Sequence, residues 1–130
     1  MNTKHAEERL KAVKIAPRLD AKGSITISLN GQVTKTEDVH ILDQPGHSIV
    51  GLIGEGIVIV QFSSLTAPGT YEIKEHGIWI YMSFHGFQGE AATGALTLDT
   101  IETKSKYRGH FDVKTSDHQK VDGIFDVQRV

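Results

Sequence analysis

The chain has 130 residues, 38% of them hydrophobic, and 14 Lys and Arg against 16 Asp and Glu give a formal net charge of −2. That is the length of one domain and enough apolar content for a core. The near-neutral balance excludes the basic excess of a dedicated nucleic-acid binder, and the absence of Cys excludes a disulfide scaffold, a thiol nucleophile and a thiolate zinc site.

The segment Met1 to Arg9 contains no apolar h-region, so it does not read as a secretory signal. The longest apolar stretch, Ile49 to Phe62, is interrupted by Gly54, Glu55 and Gly56 and falls short of the ~20 residues of a spanning helix. The expectation is a cytoplasmic protein without a membrane span. Residues 3–14 show helical spacing, with Thr3 as N-cap and Ala6, Leu10 and Val13 on one face. Glu7 and Glu8 come early and Lys11 and Lys14 late, as the helix dipole favours. Pro17 ends the helical option. A stripe this narrow is marginal alone. Residues 1–17 are therefore read as an N-terminal helical extension, and residues 18–130 as a single β domain.

From Ala21 the period becomes two. Ile25, Ile27 and Leu29 share a face, and Asn30-Gly31 signals a hairpin because both residues tolerate positive φ. Strands follow at Val39–Ile41, His47–Ile53 and Ile57–Phe62, with a turn at Gly54-Glu55-Gly56. Thr70–Lys74 and Ile78–Phe84 then read as a hairpin around His76-Gly77, pairing Ile73 with Ile80, Tyr71 with Met82, Lys74 with Trp79 and Glu72 with Tyr81. A glycine-rich loop is expected from His85 to Gly94, followed by strands at Ala95–Glu102, Tyr107–Lys114 and Gln119–Gln128.

The last two strands contain a repeat: Gly109-His110-Phe111-Asp112-Val113 returns as Gly123-Ile124-Phe125-Asp126-Val127. If Phe111, Val113, Val121, Phe125 and Val127 share the core face, the loop has an odd length, and Ser116-Asp117-His118 fits. Phe111 then pairs with Gly123 and Phe125 with Gly109, each ring covering a bare glycine backbone. On the other face, Asp112 meets Asp122 and Lys114 meets Lys120, with opposite charges on the diagonals.

These turn signals, spaced every 8–12 residues, indicate an all-β fold. The expected form is an antiparallel β-sandwich or flattened barrel of eight to nine strands with a short N-terminal helix. The runs Ile49-Val50, Ile57–Val60 and Ile78–Met82 are apolar on both faces, so their second face must be covered. The helix, with Leu10 and Val13 inward, is one cover; a homo-oligomer through those apolar faces is the other.

Chemistry is sparse. The seven His form no metal-binding spacing, although His110, Asp112 and Asp122 share an outward face; that face reads as solvated and balanced by Lys114 and Lys120. Gly51-Leu52-Ile53-Gly54-Glu55-Gly56 lacks the Lys-Ser/Thr and the helix of a phosphate loop, so it reads as a hairpin turn. Ser63-Ser64 lies in no nucleophile elbow, and nothing in the spacing pairs Glu72, Glu75 or Glu90 as glycosidase carboxylates. Lys104, Lys106 and Arg108 around Tyr107 read as a solvated turn. No cofactor, metal or catalytic residue is assigned.

The best binding segment is His85 to Glu90, an imidazole, an aromatic and polar groups among glycines beside the aromatic strand Trp79–Phe84. His85, Phe87, Glu90, Trp79 and Tyr81 are the expected binding residues. The expected function is a non-enzymatic binding or protein-interaction module using loops at one end of the fold. The alternatives are a small-molecule carrier with a lipocalin-like cavity lined by Trp79, Tyr81 and Phe84, and a hydrolase, which a Ser, a His and an acid meeting in one cleft would favour.

The segments Pro68-Gly69-Thr70-Tyr71, Gly94-Ala95-Leu96-Thr97-Leu98, Gly109–Val113 and Val121–Val127, across residues 68–127, resemble the cadence of small bacterial β-sandwich domains found on lipoproteins. The matching residues are glycines, Phe and aliphatics, so the resemblance implies a fold and no catalytic residues. Such domains usually carry a lipobox Cys, which this chain lacks.

Overall fold

A computed structural model describes residues 8, 10–13, 18–42, 47–62, 67–102 and 105–130. Among the described residues ten strands follow one another: β1 (Arg18–Leu29), β2 (Gln32–Thr36), β3 (Val39–Leu42), β4 (His47–Ile53), β5 (Gly56–Phe62), β6 (Gly69–Glu72), β7 (Trp79–Phe84), β8 (Phe87–Glu102), β9 (Lys106–Thr115) and β10 (Lys120–Arg129). All pairings are antiparallel. The order β1-β3-β4-β5-β7-β8-β9-β10 closes because β10 pairs back with β1. The all-β antiparallel expectation holds, and the form is a closed eight-strand barrel rather than a sandwich.

Closure depends on the two longest strands. The first residues of β1, Arg18–Asp20, pair with β3, while Ile25–Leu29 pair with β2 on that same side. β8 behaves alike: Phe87–Glu90 pair with β7, and Ala95–Leu98 pair with β6. Each long strand thus bends out of one wall and into the other, so the ladder has no break at the corners. Gly23 (φ 123°) and Gly94 (φ 119°) mark the bends. A Cβ on Gly94 would stand 2.2 Å from the Asp112 carbonyl oxygen, which no side chain can occupy. β8 also changes register between Ala91 and Thr93, the local irregularity that re-aims a strand at a barrel corner.

Three turn readings are borne out. Asn30 (φ 49°) and Gly31 (φ 90°) close β1–β2, with Leu29 facing Gln32. Gly54-Glu55 closes β4–β5, with Ile53 facing Gly56. The β9–β10 register is the expected one: Phe111 faces Gly123, Phe125 faces Gly109, Asp112 faces Asp122 and Lys114 faces Lys120. The Thr115 amide donates to the Gln119 carbonyl at 3.0 Å, leaving the three-residue loop Ser116–His118. The Phe111 ring covers Gly123 so closely that a Cβ there would stand 2.2 Å from Cζ.

Two readings are corrected. The hairpin expected around His76-Gly77 does not form: β6 pairs with β8 and β7 pairs with β5 and β8. His76 (φ 56°) and Gly77 (φ 64°) do take the left-handed conformation, but they carry the chain around a corner from one wall to the other. Tyr81 consequently faces Glu90 instead of Glu72. The glycine-rich loop is also absent. His85 (φ 49°) and Gly86 (φ 79°) complete a two-residue turn, and β8 begins at once with Phe87 facing Phe84. Gly89 and Gly94 lie inside a strand, where they relieve close contacts instead of loosening a loop.

The barrel interior is filled by Ile25, Ile27, Ile41, Ile49, Val58, Val60, Phe62, Ile80, Met82, Leu96, Tyr107, Phe111, Val113, Val121, Phe125 and Val127. A second cluster lies outside the barrel on β3, β4, β5 and β7: Leu42, Val50, Ile57, Ile59, Trp79 and Tyr81, with Val13 fully buried among them and Leu10 packed alongside. The residues 10–13 are helical. The chain's own helix therefore covers the face that the both-sides-apolar strands left open. The N-cap Thr3, Ala6 and Lys14 lie outside the described residues. Among those described, no helix is long and apolar enough to cross a membrane.

Candidate functional site

The expected binding residues separate into two groups. On β7 the odd residues point out of the barrel and the even ones point in, as period two requires. Trp79 and Tyr81 therefore face outward beneath the helix, 5% and 4% exposed, with rings stacked at 5.4 Å. They cannot line an interior cavity, which removes two of the three residues on which the carrier reading relied. Glu90, opposite Tyr81, points the same way: Trp79 Nε1 donates to its Oε2 at 2.6 Å, and Gln88 Nε2 donates to the Tyr81 hydroxyl at 2.8 Å. This ladder ties β7 to β8 and satisfies an indole N–H that burial would otherwise penalise. Glu90 is thus engaged in holding a wall together.

His85 and Phe87 belong to a different place. The β4–β5 and β7–β8 turns lie side by side at one end of the barrel, because β5 and β7 are neighbours and Ile57 faces Ser83. Between the turns is an open cleft of about 320 Å³ lined by Glu55, Gly56, Ser83, Phe84, His85, Gly86, Phe87 and Gln88. Phe87 is half-buried and packs against the core edge, whereas His85 and Glu55 are exposed. Gln88 belongs both to the cleft and to the ladder, so the Tyr81 hydrogen bond steadies one wall. Of this lining, the sequence points to His85 and Phe87 and includes Gln88 in the same segment without singling it out, but gives no sign of Glu55 or Ser83. Glu55 registered only as a turn residue, and its closeness to His85 depends on the β5–β7 pairing, which no local pattern encodes.

The cleft brings Ser83, His85 and Glu55 together, the three groups a hydrolase would use. No hydrogen bond joins the Ser83 hydroxyl to the His85 ring; the ring's contact is edge-on to Phe84. The nucleophile–base contact of a hydrolytic triad is not made.

The other polar surface is the outward face of β8, β9 and β10. A shallow depression of about 540 Å³ there is lined by Asp99, Arg108, His110, Asp112, Asp122, Ile124 and Asp126. Burial raises the Asp122 pKa above the ordinary carboxylate value, and the hydrogen bond and like charge of Asp112 raise it further, against the opposing pull of Lys120. Arg108 lies 3.8 Å from Asp126. Among the described residues no group of three metal-ligating side chains assembles. Tyr107 points inward and is fully buried, while Lys106 and Arg108 flank it on the outside. Glu72 and Glu75 are exposed near the β6–β7 corner, and Ser63, Ser64 and Lys104 lie outside the described residues.

No protein-family model, no curated protein and no solved structure matches this chain.

Proposed function

We propose that the protein is a non-enzymatic binding module that takes a small ligand in the cleft between the β4–β5 and β7–β8 turns. One observation carries this reading. The cleft sets a carboxylate, a hydroxyl, an imidazole and an amide around the half-buried Phe87 ring at the end of a packed barrel. A few polar groups around an apolar floor, mounted on rigid strands, are the usual make-up of a ligand site. His85 and Phe87 contact the ligand; Trp79, Tyr81 and Glu90 hold the wall behind them. Amide chemical-shift mapping with a library of small polar fragments tests this. Shifts should concentrate at Glu55, Ser83, His85 and Gln88 and shrink in His85→Ala. Shifts confined to β9 and β10 would move the site elsewhere.

The convergence of Ser83, His85 and Glu55 favours a second reading, ester or amide hydrolysis, which ranks lower because the serine–histidine hydrogen bond is missing. Turnover of p-nitrophenyl acetate that disappears in Ser83→Ala would put it first.

A further inference from the structure

Independently of the cleft, we infer that β2 is the contact strand of a symmetric dimer, in which it pairs edge to edge with β2 of a second copy of this chain. β2 and β6 end the wall that runs β2-β1-β10-β9-β8-β6, and among the described residues each pairs on one side only. The Asn30 amide donates to the Lys120 carbonyl at 3.1 Å. Strand residues alternate the side to which they bond. The even residues of β1 therefore bond to β10, and Ile25, Ile27 and Leu29 bond to Thr36, Thr34 and Gln32 of β2. The N–H and C=O groups of Val33 and Lys35 are left turned out of the sheet. Edge groups of this kind are a template for another strand. β6 is a poorer template, because Pro68 stands at its entrance and the Glu72 carbonyl accepts from the Glu75 amide at 3.0 Å. β2 holds no proline and carries Val33, 69% exposed.

The edge is self-complementary, which selects a second copy as its occupant. A two-fold axis through Thr34 sets Val33 opposite the partner's Lys35 and Lys35 opposite the partner's Val33. Both are outward-bonding positions, so each facing pair exchanges both of its backbone bonds. Thr34 meets Thr34 of the partner subunit at the non-bonded position, where side chains come closest and threonine pairs are favourable. Val33 gains the stem of the partner's Lys35 as apolar cover. Lys35 makes only an exposed 3.9 Å contact with Glu37, and no like charges stand directly opposite. A shift that put Lys35 on the axis would set two ammonium groups face to face. One short segment thus supplies both halves of the match, as an isologous contact requires. A five-residue edge buries little area, so the dimer is weak and concentration-dependent.

Sedimentation equilibrium of the full chain up to about 1 mM tests this, and should show monomer and dimer in exchange with a Kd of roughly 100 μM. Val33→Pro removes an outward N–H and no bond to β1, so it should abolish the dimer. Two charge variants keep β2 folded and read the register. Val33→Glu, opposite the partner's Lys35, should tighten the dimer about fivefold, and Val33→Lys should weaken it about as much, because every dimer holds the contact twice. A chain that stays monomeric throughout overturns the proposal, as does a dimer indifferent to all three substitutions. A dimer that Val33→Glu and Val33→Lys weaken alike overturns the pairing of Val33 with Lys35. None of these failures touches the cleft.

Discussion

Strands β4, β5 and β7 and strands β9 and β10 belong to one barrel, yet their outward faces have nothing in common. The first set turns out Val50, Ile57, Ile59, Trp79 and Tyr81, all buried under Leu10 and Val13. The second turns out Arg108, His110, Asp112, Lys114, Asp122, Ile124 and Asp126 to water. The inward faces are equally apolar. The barrel therefore has two hydrophobic layers on one side and one on the other. Burial of the outer layer removes several large side chains from water, each contributing about 1.5–3 kcal/mol. The open wall contributes nothing comparable and holds a carboxylate pair that repels itself. Stability should be concentrated on the helix-covered side, and the open side should tolerate change.

The largest test is Trp79→Ala, which empties the covered wall and strands Glu90 without its indole donor; it should cost about 3–5 kcal/mol in chemical denaturation. Removal of residues 1–17 should lower the melting temperature and solubility by exposing the same layer. Unchanged values would show that the helix does not hold that wall. Gly123→Ala should cost about 1–3 kcal/mol, because the new methyl collides with the Phe111 ring, which is 1% exposed and has nowhere to swing. This effect belongs to the interior beneath the open wall, so it separates a face that tolerates change from a core that does not.

Smaller effects belong to the open wall itself. Asp122 binds its proton more tightly in the folded chain than in the unfolded one. Its contribution to stability is therefore fully present below the unfolded carboxylate pKa and is lost as pH rises through the folded value. At neutral pH the Asp112/Asp122 pair opposes folding, so Asp122→Asn should stabilise by about half a kcal/mol, a modest gain because water screens both groups. The advantage of the variant should vanish in acid, where wild type and variant unfold together. Ile124→Thr should change stability by less than about 0.5 kcal/mol, since Ile124 is 64% exposed. A loss of several kcal/mol would mean that this face is covered after all.

The same contrast explains which parts of the fold were legible. The β9–β10 hairpin could be read to the residue because its faces alternate and two Phe–Gly pairs lock the register. The covered wall announced itself by failing to alternate, and Val13 answers that signal. The β6–β7 hairpin was misread because its turn residues have the right φ values for a reversal that the chain uses as a corner. Choosing between the two requires knowing that β8 is long enough to pair with both strands. The binding residues divided for a related reason. Trp79, Tyr81 and Glu90 are close to His85 and Phe87 in sequence, but period two sends Phe87 inward and the others outward.

Length, charge and the missing cysteines narrowed what this chain could be, and local patterns determined most of its strands, though not the first half of β8, together with three of its turns and the pairing of its last hairpin. Each depends on contacts a few residues apart or on a two-residue period, both visible in a string of letters. The closure of the barrel, the corner between β6 and β7 and the meeting of Glu55 with Ser83, His85 and Phe87 were decided by tertiary structure alone. They depend on which strands become neighbours across tens of residues, a choice made by the summed burial of two walls and recorded in no single segment.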